Sequence, residues 1–247
     1  MKARSVQLKA ATKPTRRERT PSAAATSRVG AKRIRLPHAE RKEQILNQAA
    51  QFFAEYGLTG QTRELAAACG ISQRLLYRFF PNKAALLAEV YKHEILGAFD
   101  DAWFTQLADR SRPMTERLID FYNGYLDHVM TRHWLRLFLY SSLAQGEMAP
   151  HYIAAIITRL LETIVDEAAA EQGLMVPTDP ALKREIGWTL HGALSHLAIR
   201  RRIYQAANDY PERATVALTV RGFIAGLPAM LDGLADVSKA AHDTSIY

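Results

Sequence analysis

The segment from Leu65 to Phe80, LAAACGISQRLLYRFF, constrains the fold of this chain more than any other. Its small and apolar residues fall where two helices that cross at a tight turn require them. Ala66 is small where the helices would nearly touch, Gly70 can adopt a positive φ at the turn, and Leu76 lies six residues later on the inward side. The other inward positions are Leu65, Cys69, Ile71 and Phe79. This spacing predicts a helix-turn-helix.

The outward face of the second predicted helix carries long side chains that donate hydrogen bonds. These are Gln73, Arg74, Tyr77 and Arg78. Arginine can bind guanine O6 and N7 through two hydrogen bonds, glutamine can pair with adenine, and a tyrosine hydroxyl suits a phosphate. The pattern therefore predicts that this helix enters the DNA major groove.

The positive charge is concentrated at the N-terminus. Residues 1–37 contain eleven Lys or Arg and one acid, a net charge of +10, whereas residues 38–247 contain 21 basic and 24 acidic residues, a net charge of −3. The first 37 residues also have few large apolar side chains, so we expect a disordered basic arm that contacts DNA phosphates. An organelle transit peptide is the alternative that this composition leaves open.

Helical patterns continue through the rest of the chain. An amphipathic helix is predicted from His38 to Tyr56, and a long helix from Asn82, its N-cap, to about Asp109. Further helices are predicted at about 113–130, 132–146, 150–172, 181–207 and 211–232. Strand signals are absent, so the fold class is all-α: an N-terminal three-helix unit joined by a long helix to a C-terminal helical domain. The predicted divisions are a helix-turn-helix domain at 38–84, a C-terminal helical domain at 85–235 and a flexible tail at 236–247.

Residues 40–90 resemble the tetracycline-repressor (TetR) family of bacterial regulators. The resemblance rests on an amphipathic helix ending FFAEYG, then RELAAACGIS, then the recognition-helix run LLYRFFPNKAALL. It implies a cytoplasmic homodimer that binds a palindromic operator and releases it when a small molecule enters the C-terminal domain. The DNA-contacting positions implied are Arg63, Ser72, Gln73, Arg74, Leu75, Tyr77, Arg78 and Lys83.

One departure from the family pattern lies between Gly57 and Leu65, which are one residue closer than usual. Thr62 then precedes Glu64 by two residues instead of three, so the expected capping box is imperfect. Either Gln61 or Thr62 is expected to cap the following helix.

Aromatic residues, several of them with a polar group, recur in the predicted C-terminal domain. The candidates for effector binding are Trp103, Phe121, Tyr122, Tyr125, His128, Phe138 and Tyr140. A buried hydroxyl or imidazole needs a partner, which a ligand can supply, although an aromatic stripe at helical spacing also suits a plain core. The expected effector is apolar or aromatic.

The last two predicted helices each have an apolar face, and the resemblance implies that two such pairs form a four-helix dimer bundle. The candidate interface residues are Ile186, Ala193, Leu197, Val220, Phe223 and Leu227. A pair packed only against its own subunit is the alternative.

Other classes of protein find little support in the sequence. The single cysteine, Cys69, excludes an intramolecular disulfide, suits a reducing cytoplasm and is expected to be a buried apolar residue. We expect no metal site, cofactor, catalytic residue or membrane span. The second candidate function is an architectural protein that binds DNA through its basic arm without sequence preference.

Overall fold

The computed structural model describes residues 37–144, 148–206 and 210–243, with side chains as far as residue 232. All regular elements in these ranges are helical, which confirms the all-α prediction. The α-helices are α1 (His38–Tyr56), α2 (Thr62–Ala68), α3 (Gln73–Phe79), α4 (Lys83–Val90), α5 (Ala102–Leu107), α6 (Met114–His128), α7 (Arg132–Leu143), α8 (Met148–Tyr152), α9 (Thr158–Gln172), α10 (Pro180–Arg202) and α11 (Glu212–Asp243). Short π-helical turns follow α4 and α8, at Tyr91–Leu96 and Ile153–Ile157.

The first three helices pack around one apolar core. Helix α1 has the predicted bounds, and Phe53 on its inner face is fully buried together with Leu65 and Leu76 from α2 and α3. Gly70, between α2 and α3, has a φ of 64°, a left-handed conformation that glycine adopts without the steric cost of a Cβ atom. The crossing of α2 over α3 therefore forms as the spacing predicted.

The predicted long helix from Asn82 to about Asp109 is instead divided, and this corrects the sequence prediction. The Asn82 side chain caps α4 as expected, accepting a hydrogen bond of 2.8 Å from the Ala85 N–H. After the π turn the helix ends at Gly97, where a Cβ atom would lie 2.5 Å from the His93 carbonyl oxygen. Asp100 then accepts from the Ala102 N–H at 2.9 Å and helps to start α5. The connecting element is thus α4 with one π turn.

The predicted helix at 150–172 is also divided, into α8, a π turn and α9. Helix α11 continues to Asp243, so the predicted tail at 236–247 falls partly on this helix and partly on residues outside the described ranges. The predicted basic arm lies outside the described residues except for Pro37.

Helix α7 is tied to the end of α1 by Arg136. The Arg136 guanidinium donates to the carbonyl oxygens of Ala54 (2.5 Å) and Glu55 (2.9 Å), in the last turn of α1, and to the Tyr140 hydroxyl (3.1 Å). A cation at the carboxyl end of a helix is favourable because the last carbonyl groups carry partial negative charge. These bonds hold the helix-turn-helix unit against the C-terminal helices.

Candidate nucleic-acid interface and effector cavity

Helix α3 lies at the surface of the N-terminal unit and is positioned by an N-cap side chain and by one buried residue. The Ser72 hydroxyl accepts a hydrogen bond of 3.1 Å from the Leu75 N–H, which satisfies an otherwise unpaired backbone donor. Leu76 is 1% exposed and fixes the inner face. This seven-residue helix therefore depends on its packing against α1 and α2 more than on its own length.

The outer face of α3 presents the predicted DNA-contacting residues to solvent. Ser72, Gln73, Arg74, Tyr77 and Arg78 are exposed, and Leu75 is half-buried. Arg63, on α2, is also exposed. All of these positions lie on α2 and α3 or at the start of α3, so the structure brings them onto one part of the N-terminal unit.

A hydrogen-bond network that the sequence prediction missed links α2 to this face. The Thr62 hydroxyl lies 3.0 Å from the Tyr77 hydroxyl and accepts a 3.1 Å bond from the Gln73 amide. Neither expected residue caps α2 with its side chain. Gln61 occupies the N-cap position but makes no side-chain hydrogen bond there. Thr62 is the first helical residue, and its hydroxyl bonds to residues of α3 instead. Thr62, a candidate cap of α2, therefore supports the Gln73 side chain instead.

Lys83 is hydrogen-bonded to the loop between α1 and α2. Its ammonium donates a 2.8 Å hydrogen bond to the Gly60 carbonyl oxygen and lies 5.7 Å from the centre of the Phe53 ring. A shallow groove here is lined by Thr59, Gly60, Gln61, Thr62, Arg63, Gln73, Tyr77 and Lys83. Lys83 therefore stabilises the loop beside the groove. Its ammonium group has three donors, so others remain for a phosphate.

Cys69 is half-buried at the end of α2. Partial burial raises the pKa of its thiol to about 11, because the thiolate is disfavoured away from water. The thiol is thus protonated at neutral pH, which suits an apolar packing residue.

A cavity of about 140 Å³ lies among α6, α7, α8 and α10. Its lining residues are Tyr125, Met130, Trp134, Leu135, Phe138, Leu139, Tyr152, Ile153, Ile157, Trp188, His191, Ser195 and Ile199. None of them is Asp, Glu, Lys or Arg. The cavity suits an uncharged apolar or aromatic molecule.

The polar groups of the cavity are few and neutral. The hydroxyls of Tyr125 and Tyr152 lie 3.1 Å apart, and the Tyr122 hydroxyl lies 3.4 Å from His191 Nδ1. Burial lowers the pKa of His191 to about 4, so this side chain is uncharged at neutral pH. The indole N–H of Trp134 is buried without a hydrogen-bond acceptor among the described residues.

The structure places only two of the predicted effector residues, Tyr125 and Phe138, on the cavity wall. Trp103, Phe121 and Tyr122 form an aromatic cluster with Tyr125; ring centres lie 5.7 Å apart for Trp103 and Phe121 and 4.9 Å apart for Phe121 and Tyr122.

His128 and Tyr140 lie away from the cavity. His128 is exposed, with its Nδ1 atom 2.9 Å from the Gly124 carbonyl oxygen, and Tyr140 is bonded to Arg136 beside α1.

Helix α10 contributes four lining residues that sequence reasoning did not select. Trp188, His191, Ser195 and Ile199 follow one another at intervals of three or four residues, the spacing of one helix face. This spacing is a usable signal, although the sequence prediction assigns α10 only to dimerisation.

The predicted dimer residues require a correction, because most belong to the core of the chain itself. Ile186, Leu197, Val220, Phe223 and Leu227 are at most 5% exposed, and only Ala193 is exposed. The apolar face of α10 packs against α9, that of α11 packs against α6 and α9, and the two helices pack against each other. Periodicity identified two buried faces correctly but did not reveal which neighbour covers them.

Helix α11 nevertheless leaves apolar surface uncovered. Over Glu212–Asp232 it is apolar and long enough to cross a membrane by length and composition, and only 22% of its most apolar window is buried. Leu218 is 69% exposed. Core helices of soluble proteins pass the same test, so the feature is weak evidence for a membrane span.

Within the part of the chain that the structure describes, no group of three or more His, Cys, Asp or Glu side chains could hold a metal ion.

Comparison with known proteins agrees with this arrangement. Residues 45–90, from α1 to the end of α4, match the family model of the bacterial regulatory proteins of the tetR family. No curated protein sequence matches the chain.

Solved structures of bacterial regulators share the fold. A TetR-like transcriptional regulator from Rhodococcus sp. RHA1 has 20% identity and a TM-score of 0.57, with coverage of 79% of this chain and 99% of that one. The fatty acid degradation regulator FadR from Bacillus halodurans has 20% identity and a TM-score of 0.56 over 74% of this chain and 94% of that one. A tetR-family regulator from Streptomyces coelicolor has 17% identity and a TM-score of 0.53 over 86% and 100%. Residues 45–90 therefore match the helix-turn-helix domain of the tetR family of bacterial regulatory proteins, and the described chain has the fold that solved members of this family share.

Proposed function

We propose that the protein is a homodimeric repressor that binds a palindromic operator through α3 and is released when an uncharged apolar or aromatic molecule occupies the cavity. The observation that carries this proposal is the outer face of α3. There Gln73, Arg74 and Arg78 project from a helix whose inner face is buried and whose start is capped by Ser72.

The roles at the DNA follow from the chemistry of each side chain. Arg74 and Arg78 suit guanine, since two parallel N–H donors match O6 and N7, and Gln73, supported by Thr62, suits adenine. Tyr77, Arg63 and Lys83 suit phosphates, and Leu75 can contact a thymine methyl group. The basic arm at residues 1–37 adds phosphate contacts without sequence preference.

The effector proposal rests on the composition of the cavity wall. A charged ligand would find no counter-ion there, because His191 is neutral and the other lining residues carry no charge. Among the described residues the Trp134 N–H has no acceptor, so it can donate to a carbonyl or ether oxygen of the ligand. The preferred effector is therefore an uncharged, mostly apolar molecule with one acceptor atom.

Helix α8 provides a route from the cavity to the DNA-binding unit. Tyr152 at its end lines the cavity, while the ring of His151 lies 6.2 Å from the ring of Tyr91, in the π turn after α4. A ligand that displaces α8 would change the packing of this turn and hence the position of α4. Because α4 follows α3 directly, such a change can alter the fit of α3 to DNA.

Dimerisation is proposed from the uncovered apolar surface of α11. Exposed Leu218 has no cover within the described chain, and one half-site offers too few contacts for selective binding by a monomer. Sedimentation of Leu218→Glu against the wild-type protein tests this surface. Leu143→Glu is the matched control, because Leu143 is 82% exposed on α7. We expect only Leu218→Glu to shift the protein towards monomer.

Selection of binding sites from a random pool of DNA duplexes, with the purified full-length protein, tests the DNA-binding proposal. The expected result is one enriched palindrome with half-sites about one helical turn apart. Enrichment of no sequence, with binding that weakens steeply with salt, would instead support the architectural alternative. Enrichment of a single asymmetric site would contradict the dimer.

A further inference from the structure

A second cleft, of about 380 Å³, lies where the DNA-binding unit meets the C-terminal helices. One side is formed by Leu58, after α1, with residues of α4 and its π turn, and the other by residues of α7 and α8. The lining residues are Leu58, Ala84, Leu87, Ala88, Tyr91, Ser141, Met148 and His151. This joint cleft shares no lining residue with the effector cavity.

Two hydroxyl groups in the joint cleft are buried without a partner among the described residues. They are the Tyr91 hydroxyl and the Ser141 Oγ. Ser141 as a whole is 0% exposed. The neighbouring Ser142 shows the usual arrangement, since its hydroxyl donates a 2.9 Å bond to the Phe138 carbonyl oxygen of its own helix.

Such groups are uncommon in folded proteins, because a buried hydroxyl without a partner loses its bonds to water and gains nothing in return. Burial also raises the pKa of the Tyr91 hydroxyl, as expected for a group held away from water. Two unpaired hydroxyls on one cleft thus indicate a place where an outside molecule can supply the missing bonds.

The remainder of the wall defines the chemistry of that molecule. Five of the eight lining residues are Leu, Ala or Met, and none is Lys, Arg, Asp or Glu. An apolar body would therefore bury well there, whereas an ionic group would lose its hydration without a permanent counter-ion. The volume falls in the range of ordinary small-molecule sites.

We propose that the joint cleft is a second small-molecule site, separate from the effector cavity, for a compact uncharged ligand whose apolar body carries a hydroxyl, carbonyl or amide group bonded to Tyr91 and Ser141. Its walls belong both to α4 and to α7 and α8. A bound ligand therefore contacts the DNA-binding unit and the C-terminal helices together, and it stabilises the spacing between them that this structure shows.

Methionine methyl groups provide a direct test, because one reports on each site. Met148 lines the joint cleft and Met130 lines the effector cavity. Full-length protein labelled with ¹³C at the methionine methyl groups is titrated with benzamide, and with toluene as the matched probe without a polar group. Benzamide should shift the Met148 resonance saturably, with an affinity about threefold to tenfold higher than that of toluene.

Variants separate the hydroxyls from the apolar wall. Tyr91→Phe and Ser141→Ala should each weaken benzamide about threefold to tenfold and leave toluene unchanged. Ala88→Trp, at an exposed position, should fill the cleft and abolish the Met148 response to both probes, while an unchanged Met130 resonance verifies folding.

The proposal is overturned if benzamide shifts only Met130, or if it leaves Met148 unaffected at millimolar concentrations. It is equally overturned if the Met148 response survives unchanged in all three variants.

Discussion

The proposed DNA-facing surface and the proposed effector cavity are built in opposite ways. The surface comes from a short continuous stretch, Thr62 to Lys83, and most of its side chains are exposed and polar. The cavity is lined by residues between Tyr125 and Ile199, which lie on four helices, a π turn and the α6–α7 connection and are mostly apolar. A surface of local origin can be changed without altering the core, whereas the cavity wall is itself part of the core.

The two regions should therefore differ in how stability and binding respond to substitution. Residues such as Arg74 contact little of the protein, so their replacement should affect DNA binding alone. Tyr125 and Tyr152 pack on other aromatic rings and are at most 2% exposed, so their replacement should affect folding first.

The largest expected effect is on stability at the cavity. Tyr125→Ala should lower the free energy of unfolding by about 3–5 kcal/mol, because it removes a buried ring and leaves a void. Tyr77→Ala, at a side chain 41% exposed on α3, should cost less than about 1 kcal/mol. Urea denaturation of both variants measures the difference, and equal losses would contradict the contrast between the two regions.

At the DNA-facing surface, Arg74→Ala should weaken binding to the selected palindrome by about 1–3 kcal/mol, through loss of contacts to a particular base. Its unfolding free energy should stay within about 0.5 kcal/mol of the wild-type value. Fluorescence anisotropy with labelled duplex measures the affinity. Arg200→Ala, at an exposed arginine on α10, is the control and should leave affinity unchanged.

A pH effect on stability is expected from the cavity. In the unfolded chain His191 becomes protonated below about pH 6.5, whereas burial in the folded chain keeps it neutral down to about pH 4. The free energy of unfolding therefore falls across that interval on acidification. This contribution is about 2 kcal/mol between pH 7 and pH 5. His191→Leu should show a smaller loss over the same interval in urea denaturation; an identical pH profile would show that His191 is not held neutral.

The smallest expected effect concerns Thr62. Thr62→Val removes the hydroxyl that orients Gln73 and Tyr77, and it should weaken operator binding by about 0.5–1 kcal/mol. Thr178→Val, at an exposed threonine of the loop before α10, is the matched control. Anisotropy titrations of both variants compare them, and equal affinities would show that the network does not position Gln73.

The same contrast explains what the sequence could reveal. The bounds of α1, the cap at Asn82 and the turn at Gly70 depend on neighbours within a few residues, and their patterns were sufficient to predict them. The break at Gly97 was missed because apolar spacing continues across it, although Gly97 and Asp100 are local signals for an end and a new start.

Features that depend on distant packing were harder to predict. The apolar faces of α10 and α11 were identified, yet periodicity cannot tell whether a partner subunit or the chain's own α6 and α9 cover Leu197 and Phe223. The cavity residues of α10 had the right spacing, but only the tertiary structure brings His191 beside Tyr122.

The central claim is that base reading belongs to the outer face of α3. It is tested most directly by site selection from one random duplex pool, run in parallel with the wild-type protein and with Arg78→Ala. The variant should select a palindrome that has lost preference at one symmetry-related pair of positions and kept it elsewhere. An unchanged consensus for Arg78→Ala, together with unchanged affinity for the wild-type palindrome, would contradict the assignment of base contacts to this face.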